Sequence, residues 1–379
     1  MKKAILSILL VIVPNAIVAR TLLDYRGQEV TDNDTSHYEF TFAMSENGNR
    51  MVMDLKSELE HGGLNVWFGG AGYQVIGNYS GERSFSYEHV IFGPLNDTEL
   101  VNVKITAYHA IGTWHIRFQE ISRSASLFSL LLSGCLVILL TVGITLWWKK
   151  YIQTSWRWLL VGAGAWFVGV IFKFVVAYFA NAPVLEMIKS ILGNAGYLTL
   201  GSVYVGLLTG VFEIGMTLAF ALLIKGMYEN AKHALSIGLG AGLVEALLIG
   251  FASIGNYLMV IMGTSNSDAI TGALAQAAIV TPLLPLISPV ERIIAILCHA
   301  SSRVLVLFAL AQRRQRFFWA GFLILTAIDA IAGYFHLSGL ISKISTWWVE
   351  LLLIPFAAIS IPIIIWCFRN WRKIDTKKR

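Results

Sequence analysis

Apolar and polar positions are arranged differently in the two parts of the chain. Residues 20–122 are polar and rich in turns, and stretches such as 100–108 (LVNVKITAY) and 112–120 (GTWHIRFQE) alternate apolar with polar residues. Alternation with a period of two is typical of half-buried strands. Six or more such strands within about 100 residues predict a small β-sandwich. Nothing in this part indicates catalysis, so we expect a recognition or shielding module.

Residues 125–368 are mostly apolar and predict an all-α polytopic membrane helix bundle. A helix needs roughly 20 apolar residues to cross a bilayer. The stretch 268–287 contains Pro282 and Pro285 and is expected to re-enter the membrane or lie at its surface. The pattern predicts seven spans, at 126–148, 158–181, 195–225, 234–262, 288–312, 317–336 and 346–368.

The first residues, 1–19, are typical of a signal peptide. Two lysines precede an apolar run, and the segment ends on small residues at Ala19. This arrangement favours export and cleavage after Ala19. A retained membrane anchor is the alternative.

Composition and charge support an integral membrane protein. Charged residues make up 14% of the 379 residues, against roughly 25% in soluble domains. The net charge of +6 does not indicate nucleic acid binding, because basic residues lie beside the spans at 149–157, 225–232, 313–316 and 369–379. By the positive-inside rule, the β-domain is predicted to be extracytoplasmic, and the basic tail 369–379 to be cytoplasmic. The expected surroundings are the lipid bilayer of the cell membrane.

Ionisable residues within the apolar spans are the strongest functional signal. Each costs about 2.5–3.5 kcal/mol at mid-membrane, so such residues should face one another within the bundle. Arg292, His299 and Arg303 recur at helical spacing and should share one face. Lys173 and Glu350 are nearer span ends, where we expect them to extend to the membrane surface. The acids deepest in the spans are Glu213, Glu245 and Asp329.

Small residues accompany two of these acids and predict close helix packing. Ser288, Pro289 and Glu291 form a Ser-x-x-Glu pattern with proline at the first helical position, which is typical of a capping box. Glu291 therefore has a structural role open to it, beside membership of the polar cluster. The small residues are Gly206, Gly210 and Thr217 around Glu213, and Gly238, Gly242 and Ala246 around Glu245.

A buried cluster of acids, arginines and one histidine fits catalysis, transport or structural ion pairing equally well. A carboxylate beside a histidine could activate water. The sequence has no His-Glu-x-x-His zinc motif and no Gly-x-Ser-x-Gly elbow, and His299 is the one histidine in the middle of a span. We therefore predict neither a metal ion nor another cofactor. The three cysteines, all in apolar spans, imply no disulfide framework.

Residues 125–368 resemble the YhfC-like membrane peptidases, relatives of the CAAX-type glutamic intramembrane proteases. Residues 210–216 (GVFEIGM) are similar to a Glu-Glu-x-x-Arg segment, and 238–246 (GLGAGLVEA) to a Gly-x-Gly-His-Gly-x-x-Glu-Ala segment. Glu291-Arg292 followed by His299 completes the motif order, and Asp329 matches an acid in a later helix. Three positions depart from the pattern: Phe212, Met216 and Ala241 stand for its first glutamate, its arginine and its histidine.

The resemblance implies a glutamic-type peptidase that cleaves or binds membrane protein segments. Glu213 or Glu245 would be the general base, His299 would assist it or hold the oxyanion, and Arg292 would orient the carboxylates. Glu291, Arg303 and Asp329 would support them. The alternative is a non-catalytic scaffold, receptor or small-solute transporter, which the missing arginine and histidine favour. The substrate and the oligomeric state stay open.

Overall fold

The computed structural model describes residues 19–30, 35–44, 48–70, 75–93, 95 and 100–377. The predicted signal peptide, 1–19, lies outside the described residues except for Ala19. The described residues form two compact units, one within Met1–Leu131 and Asn256–Leu284 and the other within Leu132–Gly255 and Pro285–Arg379.

The first unit contains an antiparallel sheet of six strands in its described part. The two longest strands, β3 and β6, have 23 residues each and pair along their length. The outer edge of β6 binds β1 and β2, and that of β3 binds β4 and β5. The hydrogen bonds thus make one continuous sheet, and the β-sandwich stays a prediction. The strands are β1 (Ala19–Glu29), β2 (Thr35–Ala43), β3 (Gly48–Gly70), β4 (Val75–Glu82), β5 (Phe85–Phe92) and β6 (Leu100–Ser122).

Both long strands are irregular near their middle, where the register of β3 against β6 shifts around His61. Gly62 has φ of 81°, and a Cβ there would lie 2.2 Å from a backbone oxygen of His109. Glycine is therefore required at this bulge. Rings from the two ends of the sheet meet in its core: Phe68 and Phe118 lie with their centroids 5.0 Å apart.

The helices form a polytopic bundle. Among the described residues, six helical stretches are long and apolar enough to cross a membrane. One of them, Trp156–Leu223, contains the predicted span 158–181 and all but the last two residues of the predicted span 195–225, with a non-helical backbone at Gly193. The count of seven spans therefore stays a prediction. The helices are α1 (Arg123–Tyr151), α2 (Trp156–Thr209), α3 (Gly215–Leu223), α4 (Ala231–Ile261), α5 (Ser267–Val280), α6 (Ile287–Gln312), α7 (Gln315–Leu337) and α8 (Trp347–Lys377), and a π-helical turn, Gly210–Ile214, joins α2 to α3.

The short helix α5 belongs to the first unit and is tied to the sheet by Arg50. The guanidinium of this buried arginine donates to the backbone oxygen of Asp268 and to Thr271 Oγ1, each at 3.0 Å. Ala275 packs with Val52 and Ile121 of the sheet in a small apolar cluster. The segment ahead of α6 is thus held by the sheet, through one charged side chain and one apolar contact.

Replacing Arg50 with methionine should loosen α5. Hydrogen bonds from a charged group contribute roughly 1.5–3 kcal/mol, so backbone amides of α5 should exchange about tenfold faster or more. Hydrogen–deuterium exchange with mass spectrometry measures this directly. Arg83→Met, at an exposed position in the turn between β4 and β5, is the matched control. Unchanged exchange in the Arg50 variant would contradict the assigned role.

Candidate active site

One face of α6 carries the basic half of the polar cluster, as its spacing predicts. Arg292 and His299 are each 5% exposed and Arg303 is fully buried. The helix begins at Ile287, and no side chain caps it among the described residues. The predicted capping box is therefore wrong, because Ser288 already lies inside the helix. Glu291 instead accepts a hydrogen bond from Arg292 Nη2 at 2.6 Å.

Glycines bring α4 against α6, which confirms the predicted packing face. A Cβ at Gly238 would lie 2.7 Å from the Cα of Ala300, and one at Gly242 would lie 2.9 Å from the Cα of Ile296. A side chain larger than hydrogen would therefore force the helices apart. This close approach brings Glu245, further along α4, to the face of α6 that carries His299.

Glu245 is held from two sides by α6. Its Oε2 lies 2.7 Å from His299 Nε2, and its Oε1 accepts a hydrogen bond from Arg292 Nη1. Its side chain is 22% exposed, in contrast to 6% for His299. Glu245 is therefore a fixed carboxylate with one part of its surface still accessible.

Glu213 lies deeper, in the π-helical turn between α2 and α3. Such turns are frequent at functional sites because they displace one residue from the regular helix. Glu213 Oε1 lies 2.7 Å from Lys173 Nζ, and Oε2 lies 3.4 Å from Arg303 Nη2. Thr209 donates to Asp329, which lies 3.9 Å from the same lysine. All seven predicted site residues thus belong to one connected polar cluster.

One member of this cluster, Lys173, is not among the predicted site residues. Lys173 was expected to extend to the membrane surface, which is wrong, because its ammonium binds Glu213. A signal was present: Gly162, Trp166 and Gly169 precede it at helical spacing and are buried. Glu350 is also wrongly placed at the surface, since it is only 2% exposed.

The arginine next to His299 fixes the tautomer of the imidazole. Arg303 Nη1 lies 2.6 Å from His299 Nδ1. A guanidinium nitrogen can only donate, so Nδ1 must accept and carries no proton. The ring proton then lies on Nε2, which donates to Glu245 Oε2. His299 is held as a neutral donor pointing at the carboxylate.

A cavity of 540 Å³ opens onto the cluster. The polar part of its lining comes from Lys173, Thr209, Glu213, Glu245, Glu291, Arg292, His299 and Asp329. The rest is apolar and includes Phe174 and Leu248, which are also 65% and 45% exposed on the outer surface of the bundle. In a bilayer such outward apolar side chains face lipid. The site therefore combines a charged floor with apolar walls that reach the lipid-facing surface.

Comparison with known proteins supports the resemblance stated from the sequence. Residues 136–353, more than half of the chain, match the model of the YhfC intramembrane metalloprotease family. The chain belongs to this family. It is also 28% identical over 256 residues to the uncharacterized membrane protein YhfC of Bacillus subtilis (strain 168), which covers 64% of this chain and 95% of that protein. The seven predicted site residues lie within the matched range, and the link to CAAX-type glutamic proteases stays a prediction.

The family description implies a metal ion, so the cluster must be tested as a metal site. Glu213, Glu245 and His299 each offer a ligand atom, and these atoms lie within 4.8 Å of one another. A histidine ligates through an unprotonated nitrogen. Nδ1 already accepts from Arg303, and Nε2 carries the proton that points at Glu245. Neither nitrogen is free, and a metal ion would be a fourth cation beside Lys173, Arg292 and Arg303. The observed arrangement does not fit a metal ion.

Proposed function

We propose that the chain is a glutamic-type intramembrane peptidase that cleaves membrane protein segments, with Glu245 as the general base. The main support for this proposal is that Arg292 and His299 hold the Glu245 carboxylate at the wall of a largely apolar cavity. Membership of a peptidase family supports hydrolysis. The apolar walls support a substrate segment that enters from the lipid.

Exposure and pairing favour Glu245 over Glu213 as the base. Glu213 is 4% exposed at its side chain, and each of its oxygens faces a cation. Glu245 is 22% exposed, and His299 is a neutral donor that leaves its charge uncompensated on that side. A base must reach the proton it abstracts. Glu213 is therefore the anchor of Lys173 and Arg303, and Glu245 is the group that meets water.

The chemistry follows from these roles. Glu245 takes a proton from water as the water oxygen bonds to the peptide carbonyl carbon. Protonation of Glu245 weakens its hold on the Nε2–H of His299, which is then available to donate to the new oxyanion. Glu245 returns the proton to the amide nitrogen, the C–N bond breaks, and an acid and an amine are released. Arg292 keeps Glu245 oriented throughout.

The test is a comparison of peptide fragments from membranes carrying the wild-type chain and its Glu245→Gln variant. Fragments that begin or end within apolar spans of other proteins should be present only with the wild type. Glu186→Gln, at an exposed position of α2, is the control and should retain the fragments. Identical fragment sets in the wild type and Glu245→Gln would exclude the proposed base.

A non-catalytic role is the second candidate, and the ion pairing favours it. Each cation of the cluster, Lys173, Arg292 and Arg303, already has an acidic partner, as a structural network requires. Under this alternative, the purified protein in liposomes releases no fragment from any of the proteins whose fragments appear in the membrane comparison. The Glu245→Gln variant then changes thermal stability alone.

A further inference from the structure

Arg303 is the least accessible charged side chain of the cluster. It is fully buried, and its Nε has no hydrogen-bond partner among the described residues. Burying a guanidinium is costly unless its surroundings compensate. Because burying the Arg303 guanidinium costs free energy, we expect the site to require a positive charge at this position.

The contacts of Arg303 show where that cation lies. One terminal nitrogen is 2.6 Å from His299 Nδ1 and the other is 3.4 Å from Glu213 Oε2. These two residues are also two of the three whose ligand atoms lie within 4.8 Å of one another, a spacing that could hold a metal ion if the guanidinium were absent. The guanidinium therefore lies between an imidazole nitrogen and a carboxylate that could each ligate a divalent ion.

We infer that Arg303 replaces a metal ion in this chain and excludes one from the site. A metal ion and a guanidinium both neutralise Glu213 and both engage the Nδ1 lone pair. The guanidinium has no open coordination position, so it cannot activate water, and that task is left to Glu245. Arg303 is thus a positioning residue for His299. This last step rests on the proposed function, whereas the exclusion of metal does not.

Metal binding by the purified chain tests the inference without an activity assay. The wild type, incubated with zinc and passed through a desalting column, should retain no stoichiometric zinc by mass spectrometry. Arg303→Met removes the guanidinium and frees Nδ1, so it should retain about one zinc per chain where the wild type retains none. The double variant Arg303→Met with His299→Ala should lose this zinc. Arg303→Lys keeps a cation and should resemble the wild type.

Two results would overturn the inference. The first is stoichiometric zinc in the wild type that disappears in His299→Ala. The second is an Arg303→Met variant that stays monodisperse and binds no more zinc than the wild type. Should Arg303→Met fail to fold, Arg303→Ala, which also frees Nδ1 and is smaller, takes its place under the same criteria. Zinc content tests the role of Arg303, and the fragment comparison tests the proposed peptidase activity. The two can fail independently, because a chain that binds zinc could still cleave its substrate.

Discussion

Replacing Glu245 with glutamine should reduce cleavage of an identified substrate by about 10²- to 10⁴-fold, the usual contribution of a general base. Glutamine has nearly the same shape, so Arg292 and His299 keep a hydrogen-bonding partner. The variant should therefore insert and remain folded. The measurement is the initial rate of cleavage in liposomes, read together with the thermal unfolding temperature of the same preparation.

Glu213→Gln should lower the unfolding temperature strongly, whereas Glu245→Gln should mainly lower the cleavage rate. It removes the charge that faces both Lys173 and Arg303, and breaking a buried pair by removing one partner costs about 3–5 kcal/mol. We expect a large fall in unfolding temperature, because Asp329 lies 3.9 Å from Lys173 and compensates for only one of the two cations. Comparing the two variants separates the base from the anchor. A Glu245 variant that loses stability but keeps its rate would reverse the assignment.

Glu291→Gln is the matched control for both. Glu291 binds the second terminal nitrogen of Arg292 at 2.6 Å, but its side chain is 40% exposed. Solvent compensates for the lost charge, so the expected change in rate is small. A loss equal to that of Glu245→Gln would mean that the orientation of Arg292, rather than the base, limits cleavage.

The helical spacing of charged residues predicts which side chains share the site. It does not predict where a helix begins or ends. Arg292, His299 and Arg303 lie three to four residues apart or at multiples of that spacing, and a helix places such residues on one face whatever surrounds it. The glycines of α4 predicted contact because a small side chain allows close approach in any helix pair. The partner helix depends on the fold of the whole bundle, and the spacing of the glycines within α4 does not identify it.

Lys173 shows why a charged residue near a span end is ambiguous. A lysine of this kind can extend to the surface or turn inward, and hydropathy does not distinguish the two. The buried face ahead of it, Gly162, Trp166 and Gly169, does distinguish them. Ser288 is a different case: the capping pattern is present, but a preceding turn, Leu284–Leu286, starts the helix earlier. A capping pattern such as Ser-x-x-Glu therefore does not determine where the helix begins when the preceding residues are already helical.

Gly238→Leu should separate α4 from α6, abolish cleavage and lower the unfolding temperature. A leucine side chain there meets the Cα of Ala300 and the backbone oxygens of two α6 residues, none of which can rotate away. Overpacking of this kind costs roughly 1–3 kcal/mol or more. Because Glu245 is held by groups on α6, a displacement of that helix also breaks the Glu245–His299 contact. The measurements are unfolding temperature and cleavage rate.

Gly255→Leu provides the comparison within the same helix. A Cβ at Gly255 meets none of the described atoms within 4 Å, so the same substitution adds apolar surface without displacing a neighbour. We expect wild-type stability and rate from it. Equal losses in the two variants would mean that leucine disturbs α4 itself, for instance during insertion. A loss confined to Gly238→Leu ties the chemistry to the distance between two helices, because neither glycine belongs to the polar cluster.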